Sequence, residues 1–207
     1  NSVQHLYIPD SVTILSEYVF HGESGCEQLR SVTFGSGIGQ LDMNMFLSCK
    51  NLESVNVSPV HETYYSEDGV VYDKGMTQVV VFPLGKTGTY YLPETVTNAD
   101  VIFDNLGQLQ AKVEFDQVDG YKKLDGVVYN EDMTVIYSVD PDKTGDFVMP
   151  DSVGEIKRFA FANSQLSSVT VSQNVTDIVY YTFYNSAIQT VSLPDSVTTI
   201  DIGAFED

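Results

Sequence analysis

The chain has 207 residues, 43% of them hydrophobic, which is enough to bury a core and argues against wholesale disorder. Its 29 acidic residues face 10 basic ones, a formal charge of −19 that is repelled by phosphate backbones and anionic lipid. No apolar run approaches the ~18 residues of a membrane span, and two cysteines, Cys26 and Cys49, are too few for a disulfide scaffold.

The first predicted element sets a pattern that the rest of the chain repeats. "LYI" (6–8) alternates as a half-buried strand does, and Pro9 ends it because proline cannot donate to a ladder. The phrase "IPDSVTIL" (8–15) then returns as "LPETVTNA" (92–99), "MPDSVGEI" (149–156) and "LPDSVTTI" (193–200). Anchors at this point of each rung are Pro9, Gly35, Ser58, Pro93, Asp116, Pro150, Ser172 and Pro194, separated by 26, 23, 35, 23, 34, 22 and 22 residues. Short strands precede them at "VTF" (32–34), "VNV" (55–57), "VEF" (113–115), "VTV" (169–171) and "VSL" (191–193).

After each anchor comes a valine, then Ile or Leu, then Phe: Val12, Leu15 and Phe20 near the start, Val197, Ile200 and Phe205 at the end. One rung cannot hide these side chains, but stacked rungs can. Three residues before each strand-opening Leu or Ile stands Cys26, Cys49, Asn163 or Asn185. Both types are small and able to bond loop backbone, so the cysteines read as ladder residues, with no second Cys or His at ligand spacing.

The two long intervals have one cause. Residues 68–96 match residues 125–153 at a constant offset of 57, with 12 of 29 positions identical, among them Gly69/Gly126, Tyr72/Tyr129, Met76/Met133 and "KTG" at 86–88 and 143–145. In each copy two β-rich runs flank a turn tetrapeptide, "DKGM" or "NEDM", which predicts β-hairpins inserted near 63–82 and 120–139. The rung between them, 99–115, is the least regular, and its ladder position falls on Gly107. The prediction is a mainly β chain, a single solenoid (1–207) of about eight rungs of 22–26 residues, two of them lengthened by the hairpins.

The stretches "LPDSVTTIDIGAF" (193–205), "KRFAFANSQLSSVTV" (157–171) and "MFLSCKNLESVNV" (45–57) resemble the BspA-like leucine-rich repeats of bacterial and some protist surface proteins. Departures are the missing proline at Gly35, Ser58, Asp116 and Ser172, and "NMF" in place of Ala-Phe at Phe46. The resemblance implies an extracellular or surface-displayed adhesion or host-interaction module. Its partner would be a protein ligand such as a host surface or matrix protein, and the family supplies no catalytic residues.

The residues offer little competing chemistry. His5, His21 and His61 form no close ligand pair. Asp140, Asp142, Gly145 and Asp151 fall at calcium-loop offsets, but the matching stretch 83–94 keeps the Lys-Thr-Gly turn and loses the carboxylates, so a shared turn explains both copies. "FGSGIGQ" (34–40) precedes no helix, and Glu67/Asp68 read as a solvated corner. No cofactor or metal is expected. The Tyr64-Tyr65, Tyr90-Tyr91 and Tyr180-Tyr181 doublets should each point one ring inward and one outward.

Solenoids usually bind on the strand face, whose outward positions are Tyr7, Thr33, Asn56, Tyr91, Glu114, Val148, Thr170 and Ser192. These are the candidate binding residues of a non-enzymatic protein-interaction module. Two readings stand beside it: a glycan-binding or accessory module of a carbohydrate-active protein, and a ligand-free spacer. No leader is visible ahead of Asn1, and the chain stops at "AFED" within a rung, which suggests a longer array or a protected end.

Overall fold

The computed structural model describes residues 2–16, 19–20, 26–103, 105, 108–115 and 118–206. Among the sequence expectations, Asp116, Gly107 and His21 lie outside them. The chain is mainly β and divides into two compact units, Asn1–Ile102 with Gln108–Asp116, and Phe103–Gly107 with Gln117–Asp207.

In the first unit, β1 (His5–Ile8), β2 (Ser31–Phe34) and β3 (Ser54–Val57) stack as a parallel sheet in that order. Leu6, Val32 and Val55 share one register and Ile8, Phe34 and Val57 the next but one. Period-two alternation therefore sends Val32, Phe34 and Val55 into the core, where all are fully buried. The turn after each proline anchor is a repeated device: the N–H of Val12 donates to Pro9 O and that of Val96 to Pro93 O, both at 3.0 Å.

The second anchor lacks proline for a steric reason. A Cβ on Gly37 would fall 1.9 Å from Asp10 O, and one on Gly35 would fall 2.5 Å from Asp10 N, so the turn of one rung packs backbone to backbone on the next. Asp10 closes the contact by accepting from the Ser36 N–H (2.6 Å) and hydroxyl (3.0 Å), and these bonds hold its carboxyl below its ordinary pKa. A short 3-10 helix, Met43–Phe46, precedes β3 and is capped by the Asp42 carboxylate, which accepts from the Asn44 N–H at 2.7 Å.

The expected hairpin near 63–82 is a three-stranded antiparallel meander. Its strands are β4 (Tyr64–Glu67), β5 (Val70–Asp73) and β6 (Val79–Val81). Two turns make it, not one: besides "DKGM", Asp68-Gly69 (φ 47° and 75°) forms a two-residue turn of the type that matches strand twist. β7 (Thr89–Tyr91) then pairs in parallel with β8 (Lys112–Glu114), and between them the irregular stretch contains a single helical turn, α1 (Asp100–Phe103).

The second unit repeats the device. β9 (Tyr121–Leu124), β10 (Val127–Asn130) and β11 (Val135–Val139) form the second meander, so the prediction near 120–139 is corrected in the same way. Next come β12 (Thr144–Val148), β13 (Glu155–Ile156), β14 (Gln165–Thr170), β15 (Asp177–Ile178), β16 (Thr190–Ser192) and β17 (Thr199–Ile200). β12, β14 and β16 make one parallel sheet; β11 pairs in parallel with β13 at the edge of the meander, and β15 pairs with β17 in a separate two-stranded sheet. The third strand of the meander is thus built into the rung ladder and is not merely appended to it.

Val153, Ile156 and Phe161 are fully buried by this stacking, as are Val175, Ile178 and Phe183 one rung later. Their counterparts Val197, Ile200 and Phe205, on the last rung, stay partly or largely exposed. Phe161, Phe183 and Phe205 form a continuous aromatic stack with centroids 5.2 and 5.0 Å apart.

Candidate interaction surface

The parallel ladders place the eight outward positions in three registered sets. Tyr7, Thr33 and Asn56 lie across β1, β2 and β3; Tyr91 and Glu114 across β7 and β8; Val148, Thr170 and Ser192 across β12, β14 and β16. The two sets of the first unit are not one continuous row. Beside β3, where the next rung would pair, the first meander takes the place: Val55 N–H donates to Gly69 O (2.8 Å) and Val57 N–H to the Ser66 hydroxyl (3.0 Å).

Tyr7 (66%), Tyr91 (74%) and Val148 (69%) are widely exposed, and Thr170 and Ser192 are exposed too. Thr33, Asn56 and Glu114 are only half-buried positions, and Glu114 is paired with Lys112 at 3.2 Å. The doublets follow alternation twice: Tyr64 and Tyr90 are buried while Tyr65 and Tyr91 face out. The third differs. Tyr181 is half-buried, and it sits in a turn with left-handed backbone (φ 58°), so strand alternation does not apply.

The ladder cysteines hold a feature that composition did not suggest. Cys26 and Cys49 are joined as a disulfide between successive rungs, with Cα atoms 5.1 Å apart. At the equivalent place in the second unit, the Asn185 amide donates to Asn163 Oδ1 at 2.7 Å, both residues having left-handed backbone. The ladder residues therefore bond one another across rungs, and Cys26 Sγ also lies 3.2 Å from the backbone oxygen of Phe20, as expected of a residue facing loop backbone.

The remaining chemical candidates are absorbed by the fold. His61 is buried; its Nδ1 accepts from the N–H groups of Thr63 and Tyr64 (both 3.1 Å) and its Nε2 donates to Ile38 O (2.9 Å). His5 bonds Ser31 Oγ at 2.8 Å. Asp140, the first position of the calcium-like loop, is paired with Lys123 at 2.9 Å, and Gly145 lies inside β12. Among the described residues no group of three or more His, Cys, Asp or Glu is placed to hold a metal ion.

The repeated "KTG" has a structural task. Lys143 donates to Asp125 O and pairs with its carboxylate, both at 2.7 Å, and Lys86 does the same to Asp68 at 2.6 and 3.0 Å. Each lysine thereby closes the two-residue turn of its meander, and the corner read at Glu67/Asp68 is a clamped turn.

No helix among the described residues is long and apolar enough to cross a membrane. No curated protein matches the sequence. Three crystal structures are similar in outline: a leucine-rich repeat protein from Eubacterium ventriosum (TM-score 0.42, 18% identity, 86% of this chain and 58% of that one); a leucine rich cell surface protein from Faecalibacterium prausnitzii (0.48, 16%, 100% and 79%); and the pneumococcal vaccine antigen PcpA (0.37, 18%, 96% and 44%). The chain thus spans less than two thirds of the first and third of these. The family model for the BspA type leucine rich repeat region matches in six copies over residues 1–73 and 141–207, the stretches on either side of the second meander and the irregular rung. The chain belongs to the BspA type leucine-rich repeat family.

Proposed function

We propose that the chain is a non-enzymatic interaction module of a secreted or cell-surface protein, and that it binds a protein ligand of the adhesion or host-interaction kind. The observation that carries this reading is the pair of tyrosines on the parallel strands: Tyr7 and Tyr91 are 66% and 74% exposed and neither ring is needed by the core. Tyrosine is enriched where proteins meet and dominates their binding hot spots. The Cys26–Cys49 disulfide supports an oxidising, extracellular setting. The repeat family supports protein binding.

The test is binding of the purified chain to immobilised host matrix proteins and mucins at physiological salt. Saturable binding to one of them, lost in Tyr7→Ala or Tyr91→Ala with the fold intact, is the expected result. Silence across the panel would favour the spacer reading instead, and turnover of a defined substrate would overturn the non-enzymatic one.

A further inference from the structure

The turns at Cys26 and Cys49 are successive copies of one repeat turn. Leu29 N–H donates to Cys26 O and Leu52 N–H to Cys49 O, both at 3.0 Å. Their middle residues, Glu27 and Gln28 in one and Lys50 and Asn51 in the other, line an open basin of about 710 Å³ together with Ser48 and Gln110. That volume lies within the range of small-molecule sites.

The basin is held in shape. The disulfide ties the two turns together, Asn51 Nδ2 donates to Glu27 O at 2.8 Å, and Gln110 Nε2 donates to Lys50 O at 3.2 Å. A site fixed in this way loses little freedom on binding. Glu27 and Lys50 occupy equivalent places on neighbouring rungs, and neither is in an ion pair among the described residues. The corresponding residues of the second unit are Ser164 and Ser186, so the repeat itself does not call for the charges.

The lining carries one carboxylate, one ammonium, a hydroxyl and three carboxamides, with Leu47 as an apolar wall. An anion would meet Glu27 and a cation would meet Lys50. A neutral molecule with closely spaced groups that both donate and accept can satisfy both at once, and vicinal hydroxyls are such groups. We infer that the basin between the two disulfide-linked turns binds a neutral saccharide, at a site separate from the strand face.

The experiment is a titration of the isotope-labelled chain with lactose, N-acetylglucosamine and maltose at millimolar concentration, followed by amide NMR. The expected result is saturable shifts confined to the turns at 26–29 and 47–52 and to Gln110. Lys50→Ala and Glu27→Gln should each weaken binding about tenfold at unchanged thermal midpoint, while Tyr7→Ala and Tyr91→Ala leave it alone. Absence of saturable shifts with all three sugars overturns the inference, as do shifts located elsewhere or affinities untouched by the Lys50 and Glu27 changes. Occupation of the same basin by a blocked alanine tripeptide, with no response to sugars, overturns it in favour of a peptide site.

Discussion

Phe159 and Tyr181 hold the same place in successive rungs, both with left-handed backbone (φ 63° and 58°), and their rings stack at 5.1 Å with 24° between planes. Each is the third residue of a turn, closed by Ala160 N–H to Lys157 O at 3.1 Å and by Thr182 N–H to Val179 O at 3.2 Å. The next copy, closed by Ala204 N–H to Asp201 O at 3.3 Å, uses Gly203 (φ 68°), where a Cβ would lie 2.5 Å from the Tyr181 ring. Left-handed backbone costs a side-chain-bearing residue roughly 1–2 kcal/mol, and an aromatic pair returns about 0.5–1.5 kcal/mol. Tyr181→Gly should therefore change stability by less than about 1 kcal/mol, because relief of strain offsets the lost stack. Phe159→Ala keeps the strained turn and loses a buried ring, and should cost about 3 kcal/mol. Urea unfolding of the two variants separates these outcomes; equal losses would refute the offset.

The disulfide should matter more than the low cysteine count implies. Its partners are separated by 23 residues, a loop whose closure restricts the unfolded chain by about 3 kcal/mol. Cys26→Ser/Cys49→Ser, or reduction of the native chain, should lower the unfolding free energy by that order and leave the far-UV spectrum of the folded state intact. An unchanged midpoint under reductant would show that the bond contributes nothing.

How far such features can be read in advance depends on whether they follow the repeat. Val32, Phe34 and Val55 were legible because alternation alone decides their burial. The pairing of Cys26 with Cys49 was legible in principle, since their spacing is one rung, and stacked strands about 4.8 Å apart bring equivalent positions within disulfide reach. A small cysteine count hid it. The break between Asn56 and Tyr91 was not legible: that the Asp68-Gly69 turn and Ser66 take the open edge of β3 depends on where a meander folds back. Nor could Glu27 and Lys50 be joined to Gln110, which lies 60 residues from Lys50 and reaches it only through the folded ladder.

The lysine clamps make a prediction that distinguishes a charge from a hydrogen bond. The Lys143 side chain is nearly buried while the Asp125 side chain is 87% exposed, so the ion pair is screened and worth well under 1 kcal/mol. The bond to Asp125 O is also exposed, but it is made by the shielded Lys143 side chain. Asp125→Asn should thus be close to neutral, whereas Lys143→Met should cost about 1 kcal/mol by removing the hydrogen bond together with the packed lysine stem. Equal effects of the two substitutions would show that the carboxylate carries the clamp.

Tyr72 and Tyr90 share a hydroxyl–hydroxyl hydrogen bond inside the first unit, and burial pushes both above the ordinary tyrosine pKa of 10.0, Tyr72 by far the more. In the second unit the counterpart Tyr129 is raised to about 12, chiefly by burial, and Phe147 replaces the second tyrosine. A raised folded-state value means that the proton is held more tightly in the native chain. The stability it supplies is complete below pH 10, where the unfolded tyrosine titrates, and is lost as pH rises from there toward the folded values. Tyr72→Phe alone should cost about 1–3 kcal/mol at neutral pH, because it leaves the Tyr90 hydroxyl buried without its partner. Tyr72→Phe/Tyr90→Phe removes both polar groups, copies what Phe147 already does, and should be nearly neutral at pH 7. It should also lose stability less steeply above pH 10, since only tyrosines such as Tyr129 remain to titrate. Urea midpoints measured from pH 7 upward test both parts, and an alkaline slope equal to that of the parent chain would show that the pair does not govern it.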